Sequence, residues 1–139
     1  ALKDFDDGKD SMLIDDMVNM NIMLTGMVSD LSTGGKQLAV AHNFYDAVCC
    51  MYKDVRRKYL HGEIVAMALP LQLAVNGRPE AEIEELKAFL REVGIPVSIR
   101  EAGMPQDGLE ELITYVHRVT IPDDMELLEQ IRDGFKYIM

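Results

Sequence analysis

The sequence predicts an all-α fold, a bundle of five to six helices. Three observations lead there: apolar residues recur three and four positions apart through most of the 139 residues, the strict alternation of half-buried strands is almost absent, and Gly or Pro stands where helical stretches should stop. With 48% apolar residues the chain can bury a core, so we expect one helical domain over residues 12–139 after a polar leading segment over 1–11.

That leading segment carries Asp4, Asp6, Asp7, Gly8 and Asp10. A calcium loop is excluded, because aligning Gly8 with the invariant loop glycine puts Lys3 where the first carboxylate ligand belongs. From Ser11 to about Leu31, apolar residues including Met12, Leu13, Met17, Val18, Met20, Ile22, Met23, Leu24 and Met27 are too many for one narrow stripe. A helix of this kind should be contacted on most of its faces.

Ser29, Asp30, Ser32, Thr33, Gly34 and Gly35 form a turn-and-cap cluster, from which a second helix should run to about Tyr52. The basic stretch from Lys53 to Lys58 reads as a connection to a third helix, His61 to Asn76, stopped by Gly77. Pro79, Glu80 and Glu82 open a fourth helix with a clean stripe of Ile83, Leu86, Phe89, Leu90 and Val93, ended by Gly94. The run Ile95 to Ile99 is strand-like without a partner strand, hence an extended connector. Two further helices are expected, near Gly108 to Arg118 and Asp123 to Tyr137, the last opened by Pro122 and Asp123.

A formal net charge of −10 argues against nucleic acid as a partner. No run of eighteen apolar residues is present and the first residues are acidic, so neither a membrane span nor a signal peptide is expected. Cys49 and Cys50 are the only cysteines and, being adjacent, poor disulfide partners, which fits a reducing, cytoplasmic setting.

Two of the three histidines stand in distinctive surroundings, Ala41-His42-Asn43-Phe44 and His61-Gly62-Glu63. If the second and third helices lie side by side, both imidazoles reach one point between them. Two neutral imidazoles suit zinc, iron or nickel and need at least one more ligand. The plainer alternative makes one a satisfied core histidine and the other a helix-start residue. Gly62 removes bulk where a metal and its ligand would need room, and Gly34-Gly35 does the same before the other helix.

Glu63 has a low claim to a catalytic role, since a carboxylate in a first helical turn serves the helix dipole. His117, near a helix end, reads as structural, and Cys49 and Cys50, without an acid–base pair beside them, as core or helix-face residues. The ten methionines read as adaptable core. Gly34-Gly35 is no phosphate-binding loop, because no strand precedes it, and no cofactor-binding residue is identified.

The run Leu60-His61-Gly62-Glu63-Ile64-Val65-Ala66, continued by Leu71-Gln72-Leu73 and Asn76, resembles the His-Gly-Glu motif and following helix of the glycerol dehydrogenase branch of the iron-containing alcohol dehydrogenases. Leu24-Thr25-Gly26-Met27, Ser32-Thr33-Gly34-Gly35 and Val40-Ala41-His42 resemble that family's segments upstream, and Ala81 to Leu86 and Val93 to Val97 those downstream. The resemblance implies the C-terminal metal-binding domain of the dehydroquinate synthase-like, glycerol dehydrogenase-like fold. It also implies zinc or iron held by His42, His61 and an upstream Asp, and NAD(P) carried by a separate N-terminal nucleotide-binding domain. The metal would polarise the hydroxyl of a small alcohol or polyol for hydride transfer.

The chain departs from that pattern in three ways. It shows no nucleotide-binding half, its only candidates for the Asp ligand are the acidic residues of the leading segment, and Tyr45 and Asp46 stand where many relatives have a second His. By itself it should therefore not catalyse hydride transfer. The expected partners are the missing nucleotide-binding domain or chain and a second copy of this one. Two other readings compete. One is a free-standing assembly domain that has lost catalysis, against which a stable monomer exposing the first helix would speak. The weaker one is a dehydroquinate synthase-like lyase domain, for which Arg56, Arg57 and Lys58 are the sole basic cluster.

Overall fold

The structure is a computed structural model and describes residues 2–31 and 39–139. They fall into two compact units, residues 1–37 and 38–139. Among them are nine α-helices and one 3-10 turn, and no strand.

The first unit contains α1 (Leu2–Asp6) and α2 (Met12–Leu31). Gly8, with φ of 63°, turns the chain between them, while Ser11 donates from its hydroxyl to the Asp4 carboxylate at 3.2 Å. Helix α2 has the expected span. Its expected burial is corrected: Met12 is 80% exposed, Ile22 69% and Met23 59%, with Leu13, Met17, Val18, Met20, Leu24 and Met27 also exposed. The other helix of its own unit, α1, is five residues long and acidic, too small to cover a twenty-residue apolar cylinder.

The second unit holds α3 (Val40–Met51), α4 (Lys53–Lys58), α5 (His61–Met67), α6 (Leu69–Val75), α7 (Glu80–Glu92), α8 (Leu109–Thr120) and α9 (Met125–Gly134), closed by a 3-10 turn, Phe135–Tyr137. Helix α3 packs against α8, α5, α6 and α4, and α6 packs against α9 and α7. The core lies where these meet, built on Phe44, Ile64, Met67, Leu71, Ile113, Ile131 and Ile138, with the rings of Phe44 and Phe135 6.1 Å apart. Gly134 lets α9 approach α6, since a Cβ there would stand 2.7 Å from Leu71 Cδ1.

Three sequence expectations are corrected in detail. The stretch from Lys53 to Lys58 is helical rather than a plain connection. Asp54 in its first turn and Arg56, Arg57 and Lys58 in its last complement the helix dipole, and buried Val55 anchors it. The helix expected from His61 to Asn76 is split at Ala68, because Pro70 has no N–H to return to the Ala66 carbonyl and its ring crowds that oxygen. These pieces, with α1, account for more helices than the five to six expected. The second helix starts at Val40, and Ser32, Thr33, Gly34 and Gly35 lie outside the described residues.

The remaining boundaries follow local chemistry. Gly77, with φ of 68°, ends α6, its N–H reaching the Ala74 carbonyl while that of Arg78 reaches Leu73, a Schellman pair. The expected connector over Ile95–Ile99 is irregular only to Val97; Ser98 bends the chain and Ile99 enters a turn, with Val97 and Ile99 buried and the Ile99 N–H donating to the Ile138 carbonyl at 2.7 Å. Asp124 caps α9, accepting from the Leu127 N–H at 2.9 Å.

Candidate metal centre

Helix α3 has no side-chain cap of its own at Ala39. Its start is satisfied from another helix instead: the Ala41 N–H donates to Gln72 Oε1 of α6 at 3.2 Å, and Gln72 Nε2 donates to Asn76 Oδ1 at 3.1 Å. On the far side, Asn43 Nδ2 donates to the Thr120 hydroxyl at 2.7 Å. With Val40, Ala41 and Phe44 buried, the first turn of α3 is pinned and His42 faces outward, exposed.

After α3 the short helix α4 reverses the chain, and α5 returns beside α3, anchored by buried Ile64 and Met67. His61 is the first residue of α5. Its ring centroid lies 5.7 Å from that of His42, with the planes 50° apart. The Tyr45 ring, one turn along α3 from His42, packs edge-to-face with the His61 ring, their centroids 4.2 Å apart, and the Arg56 guanidinium sits 5.5 Å over the Tyr45 ring. The hydrogen bond with Cys49 and loss of solvent hold the Tyr45 phenol above its ordinary pKa, while Arg56 pulls the other way.

The two imidazoles thus stand across two helices, at the surface. Two imidazoles on one tetrahedral ion, with metal–nitrogen bonds of about 2.0–2.1 Å, set their centroids roughly 5 Å apart, a separation near the 5.7 Å seen here. A Cβ on Gly62 would meet nothing within 4 Å, so space beside His61 is open. Among the described residues no third His, Cys, Asp or Glu joins the pair in a group of three.

The other singled-out residues lie elsewhere or are engaged. Glu63 accepts from the Leu60 N–H at 2.6 Å and so holds the start of α5; Leu60 has no side-chain acceptor to return the bond. His117 is buried and donates from Nε2 to the Asp124 carbonyl at 2.7 Å, tying α8 to the cap of α9. Cys50 meets the Tyr115 hydroxyl at 3.5 Å. In the leading segment, Asp7 pairs with Lys9 at 2.8 Å. The basic cluster of α4 diverges onto three partners: Arg56 on Tyr45, Arg57 on Asp54, Lys58 on Tyr59.

A groove of about 430 Å³, lined by Met51, Glu110, Glu111, Thr114, Tyr115 and Arg118, contains neither site histidine. Sequence reading had not assigned Gln72, Tyr45 or Arg56 to the site. Tyr45 was findable from its spacing of three on the helical face of His42, whereas Gln72 and Arg56 come from other helices and left no local signal.

No protein-family profile matches the chain, and no solved structure does. One curated protein is similar over part of its length. It is a glycerol dehydrogenase of Thermotoga maritima, 33% identical over 82 residues. That alignment covers 59% of this chain and 21% of the relative, so the match spans about a fifth of that protein. The likeness agrees with an origin related to that dehydrogenase. Among the described residues no helix is long and apolar enough to cross a membrane.

Proposed function

We propose that this chain is the C-terminal, metal-carrying helical part of an NAD(P)-dependent, divalent-metal-dependent dehydrogenase of alcohols or polyols, with His42 and His61 as two ligands of zinc or iron. The observation that carries the reading is the approach of these two rings to 5.7 Å from separate helices, at an open surface. The partial likeness to a glycerol dehydrogenase supports the same assignment.

The bound ion would supply Lewis-acid polarisation of the substrate hydroxyl. The chain's own residues supply the frame. Gln72 and Asn43 fix the first turn of α3 and so the position of His42, Glu63 fixes the start of α5, and Tyr45 limits the tilt of the His61 ring. Gly62 leaves room beside the pair for a substrate or a further ligand. The nicotinamide cofactor and the hydride acceptor site belong to a nucleotide-binding domain or chain that meets this one.

The test is metal content after purification without chelator, on this chain and on His42→Ala and His61→Ala. Zinc or iron retained by the parent and lost in both variants is the expected result. A folded, metal-free parent overturns the reading. A second reading, an assembly domain without chemistry, is favoured by the exposed apolar side chains of α2. It requires oligomers that persist in chelator, and a stable monomer in solution removes it.

A further inference from the structure

We infer that Arg56 is a positioning residue for the metal pair: acting through Tyr45, it sets the orientation of the His61 ring before an ion arrives. The inference rests on the metal reading above and adds to it a residue outside the two ligands that governs their affinity. Arg56 takes up no coordination position, so those not filled by the imidazoles stay open to a further ligand and to the substrate hydroxyl.

A metal-binding histidine is ordinarily oriented by a hydrogen bond from its other ring nitrogen to a carboxylate, a carbonyl or water. Among the described residues neither ring nitrogen of His61 has such a partner; the ring meets those of His42 and Tyr45 instead. Glu63 fixes the backbone where α5 begins, which leaves the tilt of the ring to packing. Tyr45, its centroid 4.2 Å from that of His61, is the closer of the two rings and takes the place of the hydrogen bond.

A half-buried tyrosine does this only if it is itself held. The hold comes from Arg56 of α4. Its guanidinium lies 5.5 Å from the Tyr45 centroid, inside the range of about 6 Å for a cation–π contact, and within hydrogen-bonding reach of the Tyr45 phenol and then the Cys49 thiol. Arg57 turns to Asp54 and Lys58 to Tyr59, so of the three cations that end α4 it is Arg56 that reaches across to α3. Buried Val55 beside it fixes the register of α4. Among the described residues no carboxylate competes for Arg56.

Charge and position pull in opposite directions here, which makes the role measurable. The two steps of 4.2 and 5.5 Å leave the guanidinium within about 10 Å of the His61 ring, where its charge repels a divalent ion while its hold on Tyr45 favours one. At about 1 M salt the Debye length falls to about 3 Å, the repulsion is screened and the positioning effect remains.

The experiment is zinc titration of the full chain at about 1 M of a salt whose anion does not ligate zinc. Arg56→Met, which keeps apolar bulk and loses the guanidinium, should weaken binding about two- to five-fold, the worth of one exposed cation–π contact. Arg56→Lys, which keeps a cation over the ring, should recover most of the loss. In a Tyr45→Ala background, Arg56→Met should leave the affinity unchanged. The metal-free chain gives an independent readout: the NMR signals of the His61 ring protons, displaced by the Tyr45 ring, should move toward those of free histidine in Arg56→Met. Zinc held by both histidines with equal or higher affinity in Arg56→Met, or an equal loss in the Tyr45→Ala background, overturns the inference and leaves the metal reading standing. No zinc on the folded chain overturns both.

Discussion

Helices α2 and α8 are both rich in apolar residues, α2 the richer, and meet opposite fates. In α8, Leu112, Ile113 and Val116 fall on one face and are buried against α3 and α9, while Glu110, Glu111, Thr114 and Arg118 look outward. In α2, Met12, Leu13, Met17, Val18, Met20, Ile22, Met23, Leu24 and Met27 surround the helix and are exposed. A stripe tells a helix which way to face, whereas a cylinder that is apolar all round can be satisfied only by neighbours on several sides. Apolar content alone therefore predicts that a helix wants burial; its distribution predicts how much partner it needs.

The contrast is tested most severely by truncating one apolar side chain in each unit. Phe44→Ala, which empties a fully buried position against Phe135, should cost about 3–5 kcal/mol in denaturant unfolding, whereas Met23→Ala in α2 should stay within about 0.5 kcal/mol. A large cost at Met23 in dilute monomer would break the comparison.

Two glycines sharpen it at the scale of one methyl group. Gly134→Ala pushes a Cβ to 2.7 Å from Leu71 Cδ1 and should destabilise by about 1–3 kcal/mol, a loss read from the shift in denaturation midpoint. Gly62→Ala, at a helical position with open space, should instead be neutral or stabilise by up to about 1 kcal/mol. A marked loss of stability at Gly62 would mean that the space beside His61 is already filled in the free chain.

The smallest effect concerns Tyr52, packed between the ends of α3 and α8 where a Cβ on Gly108 would touch its hydroxyl. Burial first, then the charges of Asp107 and Glu111, hold its phenol above the ordinary value. The folded chain thus keeps that proton more tightly than the unfolded chain does. The associated stability is intact below the unfolded pKa of about 10 and is lost as pH rises through the folded one. Tyr52→Phe should flatten the alkaline fall of the unfolding midpoint, and an unchanged slope would remove Tyr52 as its source.

Much of this architecture was legible residue by residue. The spans of α2 and α7 followed from apolar periodicity and from Pro79 and Gly94, because these signals act within one or two turns. The helical character of α4 was missed, since six charged and branched residues carry too little periodicity and the deciding anchor is the burial of Val55. The break at Ala68 follows from Pro70, a local signal that the reading of one helix from His61 to Asn76 did not use.

At the candidate centre, the division is equally physical. Residue type and local setting singled out His42 and His61, because imidazoles, a neighbouring glycine and helix starts are properties of the chain itself. Only the tertiary structure decided that α4 reverses the chain so that the rings stand 5.7 Å apart, that Gln72 caps α3 from another helix, and that Tyr45 and Arg56 stack behind His61. It also decided that α2 lies exposed. Helix formation is a short-range matter of propensity and capping, whereas the approach of two rings nineteen residues apart, or the covering of a helix, depends on how whole elements bury their faces.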